Sequence, residues 1–361
     1  MSHLPIPTDI KELTRQDLAR WLEERGIAPY RAAQIFRWVY QCQADSFEEM
    51  SDLNKPLRHQ LAEQFVIGRL RKSRVEFSRD GSIKYLLRLT DGRFVESVLI
   101  PEKEHYTLCI SSQVGCAQGC RFCLTAREGL IRSLTMGEIV AQVRDAVREI
   151  PAADPRRFTN IVFMGMGEPL ANLTHVINAL GVILDAESGL KFSSRRVTVS
   201  TAGIAPKLGR LGLETDVNLA VSLNAADNKT RDFLMPINRK YPIEVLMAAC
   251  REYPLKPRRR ITFEYILIGG VNDGDEDARG LARLLAPIRA KINLIPFNAY
   301  GESPFRRPDE ARVLSFQKIL TDRNYTAVIR YSKGQDISAA CGQLNARQID
   351  RCPEPADPPA T

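Results

Sequence analysis

The chain has 361 residues, 44% hydrophobic and 26% charged, with 22 glycines and 21 prolines. That is roughly two domains' worth of ordinary core-forming sequence, and it excludes a disordered or fibrous protein. Lys and Arg total 51 against 43 Asp and Glu, a formal charge of +8, which suits a nucleic-acid partner and an ordinary basic enzyme equally. No apolar run approaches the roughly 18 residues of a membrane span. Met1 to Arg15 lacks the basic-then-apolar pattern of a signal peptide, so a cytoplasmic protein with no membrane partner is expected. Eight cysteines in that compartment point to metal binding or catalysis rather than to a disulfide framework.

Residues 1–65 read as a small helical accessory domain. Leu13, Leu18, Trp21 and Leu22 recur at helical spacing and stop at Gly26; a second helix spans about Tyr30–Gln41 and a third about Pro56–Phe65. The domain carries no catalytic residue types, leaving packing and RNA docking as its two possible roles. Residues 66–101 switch to strand patterns separated by the turn signals Arg79-Asp-Gly and Thr90-Asp-Gly, a β-meander connector.

Residues 102–344 alternate strand and helix. Strands are expected at 107–112, 160–166, 195–201, 217–223, 260–268 and 291–298, with a last one at 325–332. Helices are expected at Met136–Glu149, Leu173–Asp185, Arg231–Glu252, Asp275–Ala286 and Asp309–Asp322. Such alternation argues for an α/β fold: a partial (β/α)6 barrel of parallel strands with an active face at their C-terminal ends. Residues 345–361 are a polar, Pro-rich tail, expected to fray.

Three cysteines share one loop after the first barrel strand, Cys116-Ala-Gln-Gly-Cys120-Arg-Phe-Cys123. Three thiolates so spaced can converge on an iron–sulfur cluster, or on zinc with Cys109 or Cys341 as fourth ligand. No second cysteine knuckle accompanies them, which favours the cluster. At the end of the second strand, Phe163-Met-Gly-Met-Gly-Glu168-Pro169 combines glycines that admit a ligand to the backbone with a carboxylate that can accept an ammonium. Polar residues end later strands too: Ser200-Thr-Ala-Gly, Ser222-Leu-Asn224 and Pro296-Phe-Asn298. Each alone would be a simple turn; in register they suit ribose and carboxylate groups.

The cysteine loop followed by the Gly-Glu strand end resembles the radical S-adenosylmethionine (SAM) superfamily. With Val199-Ser-Thr-Ala-Gly, Leu234-Met-Pro-Ile-Asn-Arg, Gly269-Gly-Val-Asn-Asp and Asp336-Ile-Ser-Ala-Ala-Cys341, nearly the whole chain resembles the RlmN/Cfr family of RNA methyltransferases. The resemblance implies a 4Fe–4S cluster on Cys116, Cys120 and Cys123, and SAM contacts from Gly167, Glu168, Ser200, Ser222, Leu223, Asn224 and Asn298. It also implies an S-methylated Cys341, a disulfide-forming partner Cys109 and a proton acceptor Glu96. Two SAM molecules would serve each turnover, forming 2-methyladenosine in 23S rRNA and a subset of tRNAs, beside the anticodon. An external electron donor of the flavodoxin type would supply the reducing power, and a monomer is expected. The alternatives are C8 methylation of the Cfr type and a non-catalytic zinc-bound RNA-binding protein.

Two positions depart from the family pattern. Asn224 stands where it usually carries His, and Ala299 replaces the Pro that commonly follows Pro296-Phe-Asn298. SAM binding is expected to survive with altered contacts. Of the remaining cysteines, Cys42 and Cys250 are expected in or beside the core and Cys352 in the tail. His105 is the one histidine expected near the site. The basic clusters Arg69–Arg74, Arg258–Arg260 and Arg306–Arg307 are candidate phosphate contacts or solvated faces.

Overall fold

The computed structural model of the protein describes residues 7–150, 154–301 and 303–345, so the tail beyond 345, Cys352 included, lies outside the described residues. The accessory domain holds β1 (Thr8–Asp9), α1 (Arg15–Glu23), α2 (Arg31–Phe36), α3 (Lys55–Gln64) and β2 (Phe65–Val66). Thr14 caps α1 in a reciprocal capping box with Asp17. The second helix does not run uniformly to Gln41: α2 passes into a π-helical turn over Arg37–Gln41.

The meander forms β3 (Arg71–Phe77), β4 (Ile83–Arg88) and β5 (Phe94–Pro101), and β6 (His105–Cys109) opens the barrel. A short hairpin follows, β7 (Gln113–Gly115) against β8 (Leu130–Ser133), with α4 (Leu124–Arg127) inside its loop. Next come α5 (Met136–Ala146), β9 (Arg157–Phe163), α6 (Leu173–Leu184), β10 (Val197–Thr201), α7 (Leu208–Glu214) and β11 (Asn218–Ser222). The chain continues through α8 (Asn228–Leu234), α9 (Ile243–Glu252), β12 (Ile261–Leu267), α10 (Asp275–Leu285), β13 (Ala290–Pro296), α11 (Glu310–Thr321) and β14 (Ala327–Ile329). The single helix expected over Arg231–Glu252 is two, because Pro236 and Pro242 cannot continue an α-helical ladder.

One ten-stranded sheet runs β14-β13-β12-β11-β10-β9-β6-β5-β4-β3. Strands β6 and β9 to β14 pair in parallel, as the βα alternation requires, whereas β3, β4, β5 and β6 are antiparallel. The meander therefore extends the barrel sheet past its first strand. No helix among the described residues is long and apolar enough to cross a membrane.

Side-chain alternation sorts this sheet into two faces. Val197, Val199, Leu219, Val221, Ile261, Phe263, Tyr265, Ile292 and Leu294 are all buried on one. That face meets the helices, with Tyr265 and Phe316 of α11 in ring contact at 5.3 Å. Burying each such side chain is worth about 1.5–3 kcal/mol, so the outer face holds sheet and helices together. The inner face is left free to carry polar groups.

The accessory domain is bolted to this scaffold through α5. Arg144, fully buried, donates to the carbonyls of Val39 at 2.8 Å and Ala44 at 2.5 Å. Glu12 accepts from Thr135 Oγ1 at 2.5 Å and from the Gly137 amide at 3.2 Å. Arg69 ties Asp45 to Asp145, and Lys72 pairs with Glu149, so these two members of the Arg69–Arg74 cluster act as struts.

Candidate active site

Register places the reactive side chains. Val98 of β5 lies opposite Cys109 of β6, which lies opposite Val162 of β9, itself opposite Thr198 of β10. Glu96 is two residues from Val98 and so shares that inner face with Cys109. Further round, Ser222, Glu264 and Asn293 are directly in register across β11, β12 and β13. Ser200 shares the face, because its partner Ala220 is two residues from Ser222.

The three loop cysteines sit in the β7–β8 hairpin loop. Gly115 makes the turn into it at φ +75, and a Cβ there would lie 2.0 Å from the Gly129 carbonyl oxygen, so only glycine fits. The Cys116 amide donates to that carbonyl at 3.0 Å, and the Arg121 amide to Leu234 at 3.0 Å. The thiols lie among Phe122, Ala126, Leu234, Met235, Ile268 and Phe297. Burial pushes all three up, Cys116 to about 12, and the neighbouring thiols push Cys120 further. Three thiolates in apolar surroundings require a cation to neutralise them, and an iron–sulfur centre supplies one. Thiolates sharing one tetrahedral zinc would lie about 3.8 Å apart, given a Zn–S bond of about 2.3 Å. Among the described residues no three His, Cys, Asp or Glu side chains gather as ligands of one ion. A cluster takes each thiolate on a different iron, so three cysteines of one loop suffice to hold it.

Beyond the cysteines, Gly167 has φ +97, and a Cβ on it would come within 2.5 Å of the Gln113 side chain. Glu168 is buried, and its carboxylate accepts from Thr201 Oγ1 at 2.7 Å and from the amides of Ala202 at 2.6 Å and Leu170 at 2.9 Å. Burial nevertheless holds its pKa above the usual carboxylate range, so a cation arriving there would be favoured. Asn298 donates to Ser332 Oγ at 2.8 Å and to the Cys341 carbonyl at 3.3 Å, while its Oδ1 is buried without a partner. An orphaned buried acceptor fits a hydroxyl or amino donor of a nucleoside.

Asn224 is different. It is fully buried in the left-handed region at φ +59, its Oδ1 accepts from the Ile266 amide at 2.8 Å, and its Nδ2 donates to Met235 Sδ at 3.2 Å. Its side chain is thus committed to joining β11 to β12, and Leu223 beside it is fully buried too.

The segment carrying Cys341 is fastened to both the loop and the meander. The Leu124 amide donates to Gly342 at 2.8 Å and Thr125 Oγ1 to Leu344 at 2.7 Å. Lys84 donates to the Ile337 carbonyl at 2.6 Å, and the Asn345 amide to Glu96 Oε2 at 2.6 Å. Cys341 as a residue is exposed, while protein atoms around its sulfur desolvate the thiol and push it up to about 11. Cys109 is buried and raised further, first by desolvation and then by the charge of Cys341. Both are free thiols here, and the disulfide expected between them is not formed.

Other expectations change. His105 starts β6, roughly 13 Å of strand from Cys109, and bonds Asn160 at 2.9 Å away from the site. Cys42 is exposed, whereas Cys250 is buried as expected. Arg259 and Arg260 are engaged with Asp216, Asn218, Ser194 and Thr326. Two site residues escaped the sequence reading. Glu264, a carboxylate inside the apolar run Ile261–Leu267, is buried, accepts from Asn293 at 3.0 Å and is pushed by burial to about 7. Arg231 is fully buried and donates to the carbonyls of Leu223 at 3.0 Å and Ala202 at 2.7 Å, clamping the ends of β10 and β11. A charge inside an apolar run was the available signal for Glu264; nothing marked Arg231.

Residues 8–67 match the family described as ribosomal RNA large subunit methyltransferase N-terminal domain, and residues 110–282 match the radical SAM superfamily. The chain is 57% identical to the dual-specificity RNA methyltransferase RlmN of Desulfosudis oleivorans, over 96% of this chain and 93% of that one. It is 55% identical to RlmN of Geobacter sulfurreducens, over 94% and 92%. A solved radical SAM methyltransferase from Sphaerobacter thermophilus superposes with a TM-score of 0.88 at 46% identity, covering 94% of this chain and all of that one. Superfamily membership implies a 4Fe–4S cluster and SAM as the cofactors, and the thiol set and the orphaned Asn298 oxygen fit them. On fold, sequence and site together, the chain belongs to the RlmN family of radical SAM RNA methyltransferases.

Proposed function

We propose that this protein makes 2-methyladenosine in 23S rRNA and in a subset of tRNAs, at an adenosine beside the anticodon, with Cys341 as the methyl carrier. The observation that carries the reading is the meeting of two free thiols with one buried carboxylate: Cys109 shares its sheet face with Glu96, and the segment carrying Cys341 bonds Glu96 through the Asn345 amide. The names of the relatives supply the RNA and the dual specificity.

Carbon 2 of adenine is electron-poor and cannot displace a methyl group from a sulfonium. A thiolate can, so Cys341 takes the methyl first. When bound, the cluster and SAM supply a 5′-deoxyadenosyl radical that removes hydrogen from that methyl. Cys116, Cys120 and Cys123 would hold the cluster. Gly167, Glu168, Ser200, Ser222, Leu223 and Asn298 would hold SAM, with Asn224 shaping the pocket from behind. Glu96 then accepts the ring proton of the RNA-bound intermediate; its raised pKa brings it nearer neutrality, where an acceptor works best. As that proton leaves, the unpaired electron of the adduct would pass back to the cluster, replacing the one used to start the reaction. The Cys109 thiolate then attacks the Cys341 sulfur: a sulfur–sulfur bond forms, the carbon–sulfur bond breaks with its electron pair on the methylene carbon, and a proton from solvent completes the methyl group of the released RNA. The disulfide is thus a state of turnover. The accessory domain, residues 1–65, would dock RNA; the reductant is external, and the enzyme acts as a cytoplasmic monomer.

Mass spectrometry of nucleosides from a null strain, before and after complementation, tests the reading. Loss and return of 2-methyladenosine in both rRNA and tRNA is expected. Appearance of 8-methyladenosine instead would assign the Cfr-type reaction.

A further inference from the structure

A cavity of about 540 Å³ opens at the cysteine loop, lined by Gly119, Cys120, Arg121, Arg127, Phe233 and Phe305 among others. Its rim is built. Arg121 stacks on Phe233 with its guanidinium 4.5 Å from the ring centre, and Arg127 stacks on Tyr300 at 5.6 Å. Phe233 packs edge-on against Phe305 at 6.1 Å yet stays 42% exposed. Stacked guanidinium groups are weakly hydrated charges held at fixed points, well suited to meeting carboxylates. The loop beneath is rigidly pinned, by the Arg121 amide on Leu234 and by the Tyr300 hydroxyl donating to the Arg121 carbonyl at 3.4 Å.

Three features choose the occupant. The cavity is lined by Cys120, one of the thiols read above as cluster ligands. The rim is basic and the whole chain carries +8, so an acidic partner is steered towards it. Neither Cys109, Cys341 nor Glu96 lines the cavity, so an RNA base bound for those groups enters elsewhere.

We propose that an acidic one-electron carrier protein docks over Arg121 and Arg127 and delivers its electron to the cluster through the Cys120 side of the loop. One electron leaves the carrier's reduced centre, which is oxidised by one, and takes the cluster from its 2+ to its 1+ state. The proposal rests on the assignment of Cys116, Cys120 and Cys123 as cluster ligands.

The test uses the full-length, cluster-loaded protein, with a reduced flavodoxin as the probe. Anaerobic stopped-flow absorbance follows cluster reduction in the wild type and in the R121E/R127E double variant, and titration with oxidised flavodoxin measures binding. At low ionic strength the variant should be reduced about tenfold more slowly and bind correspondingly more weakly, with the gap closing as salt is added. Dithionite, which needs no docking surface, should reduce both proteins at the same rate, and both should bind an anticodon stem-loop RNA equally. Equal rates with flavodoxin would overturn the proposal, as would a variant that keeps its flavodoxin rate and loses the RNA. Iron–sulfur absorbance that survives in C120A would refute the cluster assignment itself, a separate failure that takes the proposal with it.

Discussion

The backbone amide of Asn345 donates to Glu96 Oε2 at 2.6 Å, so the carboxylate assigned to proton transfer is held by the same segment that carries Cys341. The other oxygen, Oε1, lies 3.5 Å from Lys84 Nζ, which in turn grips the Ile337 carbonyl. Glu96 is thereby oriented by the meander on one side and by the Cys341 segment on the other. E96Q keeps an acceptor for Asn345 and removes the base. It should load iron and methylate Cys341 normally, while 2-methyladenosine formation falls about 10²–10⁴-fold. Nucleoside mass spectrometry on in vitro reactions gives the answer, and undiminished turnover would remove Glu96 from the mechanism.

Cys109 and Cys341 act at different moments, so their variants should fail differently. C341A should form neither methylated protein nor any RNA adduct. C109A should still methylate Cys341 and attack adenine, then stall as a covalent protein–RNA species. On a denaturing gel a nuclease-sensitive shifted band is expected for C109A alone. Identical behaviour of the two variants would exclude release through a disulfide.

Glu264 predicts a pH dependence of stability. Burial raises its folded pKa to about 7, against 4.5 for the unfolded chain, and its bond from Asn293 opposes this only in part. A raised carboxyl pKa means that the folded state holds the proton more tightly, so this contribution is intact at low pH and is lost as pH rises from 4.5 through about 7. The loss is on the order of 3 kcal/mol. E264Q keeps the acceptor without the charge. Its Tm should exceed that of the wild type at pH 8 and match it near pH 4; equal Tm values at pH 8 would show that the carboxyl is not penalised.

Arg231 positions the SAM-side strand ends without touching the reacting atoms. R231M leaves the Leu223 and Ala202 carbonyls without a donor and should cost about 3 kcal/mol by denaturant titration. Isothermal titration should show SAM binding weakened at least about tenfold, since 1.4 kcal/mol of misplacement suffices. R231K, with charge but no planar fork, should fall between. Normal SAM affinity in a destabilised R231M protein would confine the residue to folding.

Much of this was legible from the residues. The βα alternation located every parallel strand of the ten-stranded sheet, and the cysteine spacing located the loop, because both are local patterns. What escaped was non-local or short. The hairpin of β7 and β8 has three- and four-residue strands, below any periodicity. The fusion of meander and barrel into one sheet depends on β5 pairing with β6, which no pattern within either strand announces. Arg69 reads as a phosphate contact or a solvated charge until its carbonyl and carboxylate partners arrive from another domain. The resemblance marks Asn224 as a SAM contact; what no pattern in its strand end announces is that its side chain also accepts from the Ile266 amide across β11 and β12.

The meander on the flank of β6 has one further effect. Cys109 ends a strand hydrogen-bonded on both sides, to β5 and to β9, so its sulfur hangs from a fixed post. Cys341 belongs to a stretch of turn and coil held mainly by single side-chain and carbonyl bonds. Whatever travel separates the carrier state from the bridged state falls to that one arm. The enzyme's cycle time could then be tuned by trimming its moorings, leaving the walls of the reaction chamber as they are.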